Sequence, residues 1–183
     1  MPRISTAQAG GANVCAFLDM LAQSEIGQTM LGLSDNGYNV LVGSTPRNMR
    51  TFSSYADHPL PTASDAVEYA AGAFSTAAGR YQILSRYWMH YKRQLALPDF
   101  GPVSQDLYAI QQIREQRALD DLKLGRFAQA VEKCRNIWAS LPGAGYGQYE
   151  HTMDHLAEQY LRAGGRFEGA RLDWYDETIR RQE

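Results

Sequence analysis

An α+β fold is what this sequence predicts: a mostly helical body carrying a small β lobe, with a cleft between the two. Three observations predict it. Several stretches repeat apolar residues at helical spacing. Between about residues 26 and 73 that period gives way to turn residues and short alternation. The chain has 183 residues, 44% of them apolar, which suits one domain with a proper core.

The first residues, 1–12, are expected to form a loose leader. A helix follows over about residues 12–24, where Val14, Phe17, Leu18 and Leu21 recur at i, i+3, i+4 and i+7. Glu25 continues that spacing on the same inward face, and Gly27 is a helix stop. "SDNGYNVLVGS" carries an Asn36-Gly37 turn and then alternation through Tyr38, Val40 and Val42, which predicts a short strand or hairpin. "YADHPLP" is turn-rich, and "SDAVEYAAGAF" is expected to be a short helix.

After Gly79 the helical period returns. "YQILSRYWMHYKRQL" aligns Ile83, Leu84, Tyr87, Trp88, Tyr91 and Leu95. "PVSQDLYAIQQIREQRAL" opens with a proline near N1 and aligns Leu107, Ile110 and Ile113. The next stripe is Phe127, Val131, Cys134, Trp138 and Leu141; the last is Tyr149, Met153, Leu156 and Tyr160, ending at Gly164-Gly165. This gives a leader at 1–12, one folded domain at 13–165 and a C-terminal extension at 166–183.

Composition narrows the function. Lys and Arg number 18 against 20 Asp and Glu, a net charge of −2, so no global basic field points to nucleic acid. No apolar run is long enough for a signal peptide or a membrane span. Cys15 and Cys134 lack a metal-type spacing and read as small core residues in a reduced compartment, with a disulfide as the alternative. Motifs of the G-x-S-x-G, P-loop and Rossmann kinds are absent.

Four features carry candidate chemistry. A carboxylate at Glu25 faces a low-dielectric core and the negative end of a helix dipole, and both disfavour its ionised form. That suits a general acid; the alternative is a frayed helix end with its carboxylate in water. "STAAGRYQIL" puts small residues before Tyr81 and Gln82, so a polymeric ligand can approach the backbone; the plainer reading is a glycine turn before a helix. "SLPGAGYGQYE" presents Tyr146 between two glycines, or is simply a connector. His151 and His155 stand at i, i+4, but Thr152 replaces the glutamate of H-E-x-x-H, so a solvated helix face is expected and no metal.

Together the stretches "AFLDMLAQSE", "GYNVLVG", "SYADHP", "AGRYQILSRYW", "QQI", "NIWASLPGAGYGQYEH" and the closing "AGG" resemble the bacteriophage lambda endolysin family over roughly residues 16–165. The resemblance implies a lysozyme-like α+β fold. It implies a lytic transglycosylase that cuts peptidoglycan between N-acetylmuramic acid and N-acetylglucosamine and forms 1,6-anhydro ends without a cofactor. The family's catalytic glutamate follows a serine at the end of the first helix, here Ser24-Glu25. More distant relatives carry Gly-Leu-Met-Gln where this chain has Gly79 to Gln82, and Ala-Tyr-Asn-Ala-Gly near Gly145 to Gln148. Tyr81, Gln82, Tyr146 and Gln148 are thus implied substrate contacts. Asn39, standing where the family has an aspartate, is counted with them.

The chain departs from the family at Ile26-Gly27, where Gly-Thr is usual. Two other functions compete: a hydrolytic muramidase with Asp35 or Asp57 positioning water, and a non-catalytic wall-binding protein. The resemblance further implies a monomer resident in the host cytoplasm, released to the periplasmic peptidoglycan by a separate holin-type membrane protein.

Overall fold

The computed structural model describes residues 1–145, 147 and 149–168. Its centre is α2 (Ala12–Ile26), which runs two residues beyond the expected end. A single apolar stripe was expected, yet every residue from Val14 to Ala22 is buried, Asp19 included. The reason is enclosure: α1 (Thr6–Ala9), α3 (Gln28–Gly32), α5 (Pro102–Glu115), α6 (Leu119–Leu124) and α8 (Met153–Arg162) all pack around it. A helix covered on all sides has no polar face to keep. Two further helices, α4 (Ser85–Gln94) and α7 (Phe127–Cys134), complete the helical body.

The leader is not loose. Ser5 and Gln8 form a capping box that starts α1. Ile4 and Ala9 are buried in the core, and the backbone N–H groups of Arg3 and Ile4 each donate to Asp106 at 2.8 Å. Burying two apolar side chains and satisfying two amides offsets the entropy of ordering this segment. At the other end the boundary at residue 165 is too early. Phe167 packs 5.8 Å from the Phe127 and Tyr160 rings, and Glu168 pairs with Arg126 at 2.8 Å. The rest of the extension, 169–183, lies outside the described residues, as do Tyr146 and Gln148.

The β lobe is smaller than expected and sits elsewhere. The Asn36-Gly37 turn is present, with positive φ at both residues. The chain after it pairs only through isolated bridges, Val40 with Thr51 and Leu41 with Ala78. The regular strands are β1 (Val67–Ala70) and β2 (Ala73–Ser75), an antiparallel hairpin that registers Val67 with Ser75 and Glu68 with Phe74. They occupy the stretch where a short helix was expected.

The later apolar stripes are only partly right about burial, with Tyr87 46% exposed on α4, and less right about helix length. Phe127, Val131, Cys134, Trp138 and Leu141 are all buried, but α7 ends at Cys134. Tyr149 lies outside α8 and is 78% exposed. Leu107 is partly exposed on α5, whose neighbours Ser104, Gln105, Asp106, Gln111 and Gln112 are buried instead. Both cysteines are free and buried.

Those buried polar side chains of α5 hold the turn between lobe and body. The amide of Gln105 accepts from Arg80 N–H at 2.9 Å and donates to the carbonyls of Tyr38 and Phe100. Gly79 adopts φ +76, and a Cβ there would meet Gln105 Oε1 at 2.2 Å, so only glycine fits. Across the turn, Ala78 and Ile83 exchange backbone hydrogen bonds of 2.8 and 3.0 Å. Asp106 accepts from the Tyr38 hydroxyl at 2.8 Å and the Tyr81 hydroxyl at 2.6 Å. Arg80, fully buried, pairs with Asp19 of α2 and donates to the Asn36 carbonyl at 2.5 Å. The expected helix start at Tyr81 is therefore displaced to Ser85, because residues 79–82 are spent on this turn.

Candidate active site

A cleft of about 660 Å³ lies between lobe and body. The lobe contributes Val40 to Ser44, Tyr69 and Ser75; the turn contributes Tyr81, Gln82 and Ile83. The body contributes Glu25, Ile26 and Met30 from the end of α2 onward, Tyr108 and Gln112 from α5, and the segment Asn136 to Ala139. Arg86 and Tyr87, at the start of α4, complete it.

Glu25 occupies the last turn of α2, just before Gly27 closes the helix with φ +88. Its side chain is partly accessible to the cleft, while packed protein surrounds the carboxyl. That desolvation raises its pKa above the ordinary carboxylate value, outweighing two hydrogen bonds from Ser140 that favour the charged form. One is the Ser140 hydroxyl to Oε1 at 2.5 Å; the other comes from the Ser140 backbone N–H. The frayed-end alternative does not hold: the residue is helical, partnered and set in a cleft wall. Among the described residues it is the only carboxylate lining the cleft.

The remaining sequence-predicted contacts separate into three groups. Gln82 reaches the cleft, from a backbone held at φ +49, with Nε2 donating to the Gly79 carbonyl at 3.0 Å. Tyr81 forms part of the cleft floor, but its ring is buried and its hydroxyl is spent on Asp106, so it positions the turn and has no hydroxyl to offer a sugar. Asn39 does not line this cleft at all. Its side chain accepts from the Asp35 N–H at 3.0 Å, and it borders a separate shallow depression beside Phe52, Asp57 and His58. Tyr146 and Gln148 lie outside the described residues, although the flanking loop is fixed by Glu150, which accepts from Gly143 N–H at 2.7 Å and Gly145 N–H at 2.8 Å.

The two carboxylates considered for positioning water are engaged elsewhere. Asp35 accepts from the Tyr55 hydroxyl at 2.8 Å and pairs with Arg3 at 3.0 Å. Asp57 accepts from Trp88 Nε1 at 2.6 Å and pairs with Lys92 at 2.8 Å. Burial pushes the Asp57 pKa up, but the bonds from Lys92, Trp88 and His58 N–H outweigh it and hold the carboxyl below its ordinary value.

Sequence reasoning missed the residues that position the acid. The Ser140 hydroxyl lies 3.0 Å from the Ser24 hydroxyl as well as bonding Glu25. His151 holds both serines: its backbone N–H donates to the Ser140 carbonyl at 2.9 Å, and its Nε2 lies 3.2 Å from the Ser24 carbonyl. The hint in the sequence was Ser140 opening the glycine-rich stretch, which was read for Tyr146 and Gln148 only. Ser140→Ala removes a hydrogen bond to the charged form of Glu25, so the acid's pKa should rise further. The alkaline limb of kcat/KM should move to higher pH and the rate should fall roughly tenfold. An unshifted pH profile would show that Ser140 merely fills space.

The histidine pair does not sit at i, i+4 on one helix, because α8 starts at Met153. The two rings stack, 4.8 Å apart and 13° from parallel. Among the described residues no group of three or more His, Cys, Asp or Glu side chains converges on a point where a metal ion could sit.

A desolvated acid in a cleft between a helical body and a small β lobe is the arrangement of lysozyme-like enzymes. The profile of the family described as Endolysin matches residues 15–167, and the chain belongs to that family of cell-wall-degrading phage enzymes. The endolysin of Escherichia phage P2 is 51% identical over 167 residues, covering 90% of this chain and 98% of its own. That of Escherichia phage lambda is 48% identical over 153 residues, covering 82% and 90%. Lysozyme from bacteriophage lambda, solved in complex with a chitohexasaccharide, superposes with a TM-score of 0.77 at 43% identity, over 92% of this chain and all of that one. A second lambda lysozyme structure gives 0.73 over the same coverage. The fold is thus lysozyme-like α+β, and no helix among the described residues is long and apolar enough to cross a membrane.

Proposed function

We propose that the protein is a lytic transglycosylase that cleaves the glycan strand of peptidoglycan, with Glu25 acting first as acid and then as base. One observation carries the reading: Glu25 is the only carboxylate among the described residues of the cleft. A hydrolase of the usual kind needs a second carboxylate for water or for a covalent intermediate. A transglycosylase needs one, used twice. The chitohexasaccharide held by the lambda lysozyme supports a glycan as the occupant of this cleft.

Protonated Glu25 gives its proton to the glycosidic oxygen as the bond from C1 of the muramyl sugar breaks. The resulting carboxylate then takes the proton of that sugar's 6-hydroxyl while O6 bonds C1. The acid is restored, no water is consumed and the product ends in a 1,6-anhydro ring. The internal hydroxyl competes with water through an effective concentration of ~10⁵ M or more. The same reading has the enzyme act as a monomer and reach the wall through a separate holin-type membrane protein.

Digestion of purified peptidoglycan followed by mass spectrometry of the new ends tests this. Anhydro-muramyl ends are expected. Reducing muramic acid ends would make the enzyme a hydrolase.

A further inference from the structure

We propose that Arg86 reads the peptide stem of the substrate, pairing with one of its carboxylates and thereby favouring strands that carry acidic peptides. The inference rests on the transglycosylase reading above and adds to it the part of the polymer that the sugar contacts leave unaddressed. Among the described lining residues only two are charged, Glu25 and Arg86. With Glu25 protonated before reaction, Arg86 is the one net charge those residues present.

Its surroundings leave it available. Arg86 is exposed at the cleft mouth, with its guanidinium carbon 4.7 Å from the ring centroid of Tyr87, which also lines the cleft. Stacking on that ring restrains the side chain and leaves the N–H donors at its edge free for a planar anion. The ion pairs among the described residues all involve other side chains. A cation so placed gains nothing from a plain N-acetylglucosamine polymer, which is neutral, and loses hydration when the strand covers it. Peptidoglycan differs from that bare polymer in one relevant way. Each muramyl lactyl group extends into a short peptide bearing free carboxylates. Arg matches a carboxylate with two parallel hydrogen bonds, and charge-assisted bonds of this kind outlast partial desolvation better than a neutral contact.

The test crosses one change in the enzyme with one in the substrate. Wild type and Arg86→Ala are each assayed on native peptidoglycan and on the same material with its stem carboxylates converted to amides. For wild type, amidation should lower kcat/KM roughly tenfold, mostly through KM, the scale of losing one charge-assisted contact. R86A should resemble wild type on amidated substrate and should be insensitive to amidation. Arg86→Lys should recover part of the preference, since it keeps charge without the bidentate fork. Wild type indifferent to amidation, or losses from R86A and amidation that simply multiply, would overturn the assignment. An R86A defect equal on both substrates would overturn it too, by placing the residue on the glycan or in the fold. These outcomes are separate from failure of the parent reading, which would show as reducing ends from wild type on either substrate.

Discussion

Glu25→Gln is expected to be inactive and at least as stable as the parent. The amide keeps the shape of the side chain and can still accept from Ser140, but it has no proton to give. Activity should fall by at least the ~10²–10⁴-fold typical of losing a general acid. The stability change follows from the raised pKa of the carboxyl, caused by burial and opposed by Ser140. The folded state binds the proton more tightly than the unfolded chain, whose glutamates titrate near ~4.3. Ionised Glu25 therefore weakens the fold. The loss begins as pH climbs past the unfolded value and levels off above the folded one. The variant is spared that loss, so thermal melts from about pH 4 to 8 should diverge in its favour as pH rises. An inactive variant that melts lower than wild type throughout would make Glu25 a structural anchor and remove the physical basis for its catalytic role.

Asp106→Ala should be the most damaging change to the fold. Four donors converge on this carboxylate: the backbone N–H groups of Arg3 and Ile4 and the hydroxyls of Tyr38 and Tyr81. The side chain is fully buried, and desolvation raises its pKa despite the bonds from Tyr81, Ile4 and Tyr38. Deleting it leaves all four donors without that acceptor, and water has little access to replace it. The expected cost is on the order of 3–5 kcal/mol, in line with breaking other buried charged networks. For a domain of this size that is a fall in Tm of roughly 10–15 °C. Asp106→Asn keeps one oxygen and should lie between, while Tyr81→Phe removes one bond and should cost about 1 kcal/mol. The order Ala, Asn, then Tyr81→Phe is the signature to look for in denaturant titrations. Equal midpoints for Asp106→Ala and wild type would mean that the network contributes nothing net.

These two residues also mark how far the sequence could be read. The place of Glu25 in the cleft wall was legible because its signals are local: a helical stripe, a carboxylate on its inward side and a glycine stop within fourteen residues. The resemblance of the whole stretch to lambda-type endolysins then pointed to the same residue, and the family profile covers it. The role of Asp106 was not legible, because its partners lie 25 to 103 positions away in sequence and no periodicity announces them. Tyr81 was misjudged for the same reason: locally it looks presented, but its hydroxyl is claimed by α5. Asn39 was placed by analogy with an aspartate of relatives, and the fold turns it toward Asp35. The β hairpin was missed because its alanines favour a helix and its outward residues include Phe74, 61% exposed, so no buried alternation betrays a strand. The helix boundaries at Ser85 and Cys134 were blurred because turns that flank a helix can bury residues at nearly the helical interval, as Ile83 does before α4 and Trp138 and Leu141 do after α7.

The contact between Glu25 and Ser140 spans 115 positions of chain. This has a consequence for biosynthesis. A ribosome that has delivered α2 has delivered the acid but nothing to hold it, and the nascent chain stays in that condition until the segment with Ser140 and His151 has cleared the exit tunnel. Closing so long a loop is entropically slow compared with folding the helix itself. The candidate site is therefore among the last features to mature on a chain whose Glu25 is made early, and a polypeptide released before Ser140 carries the glutamate without its partner.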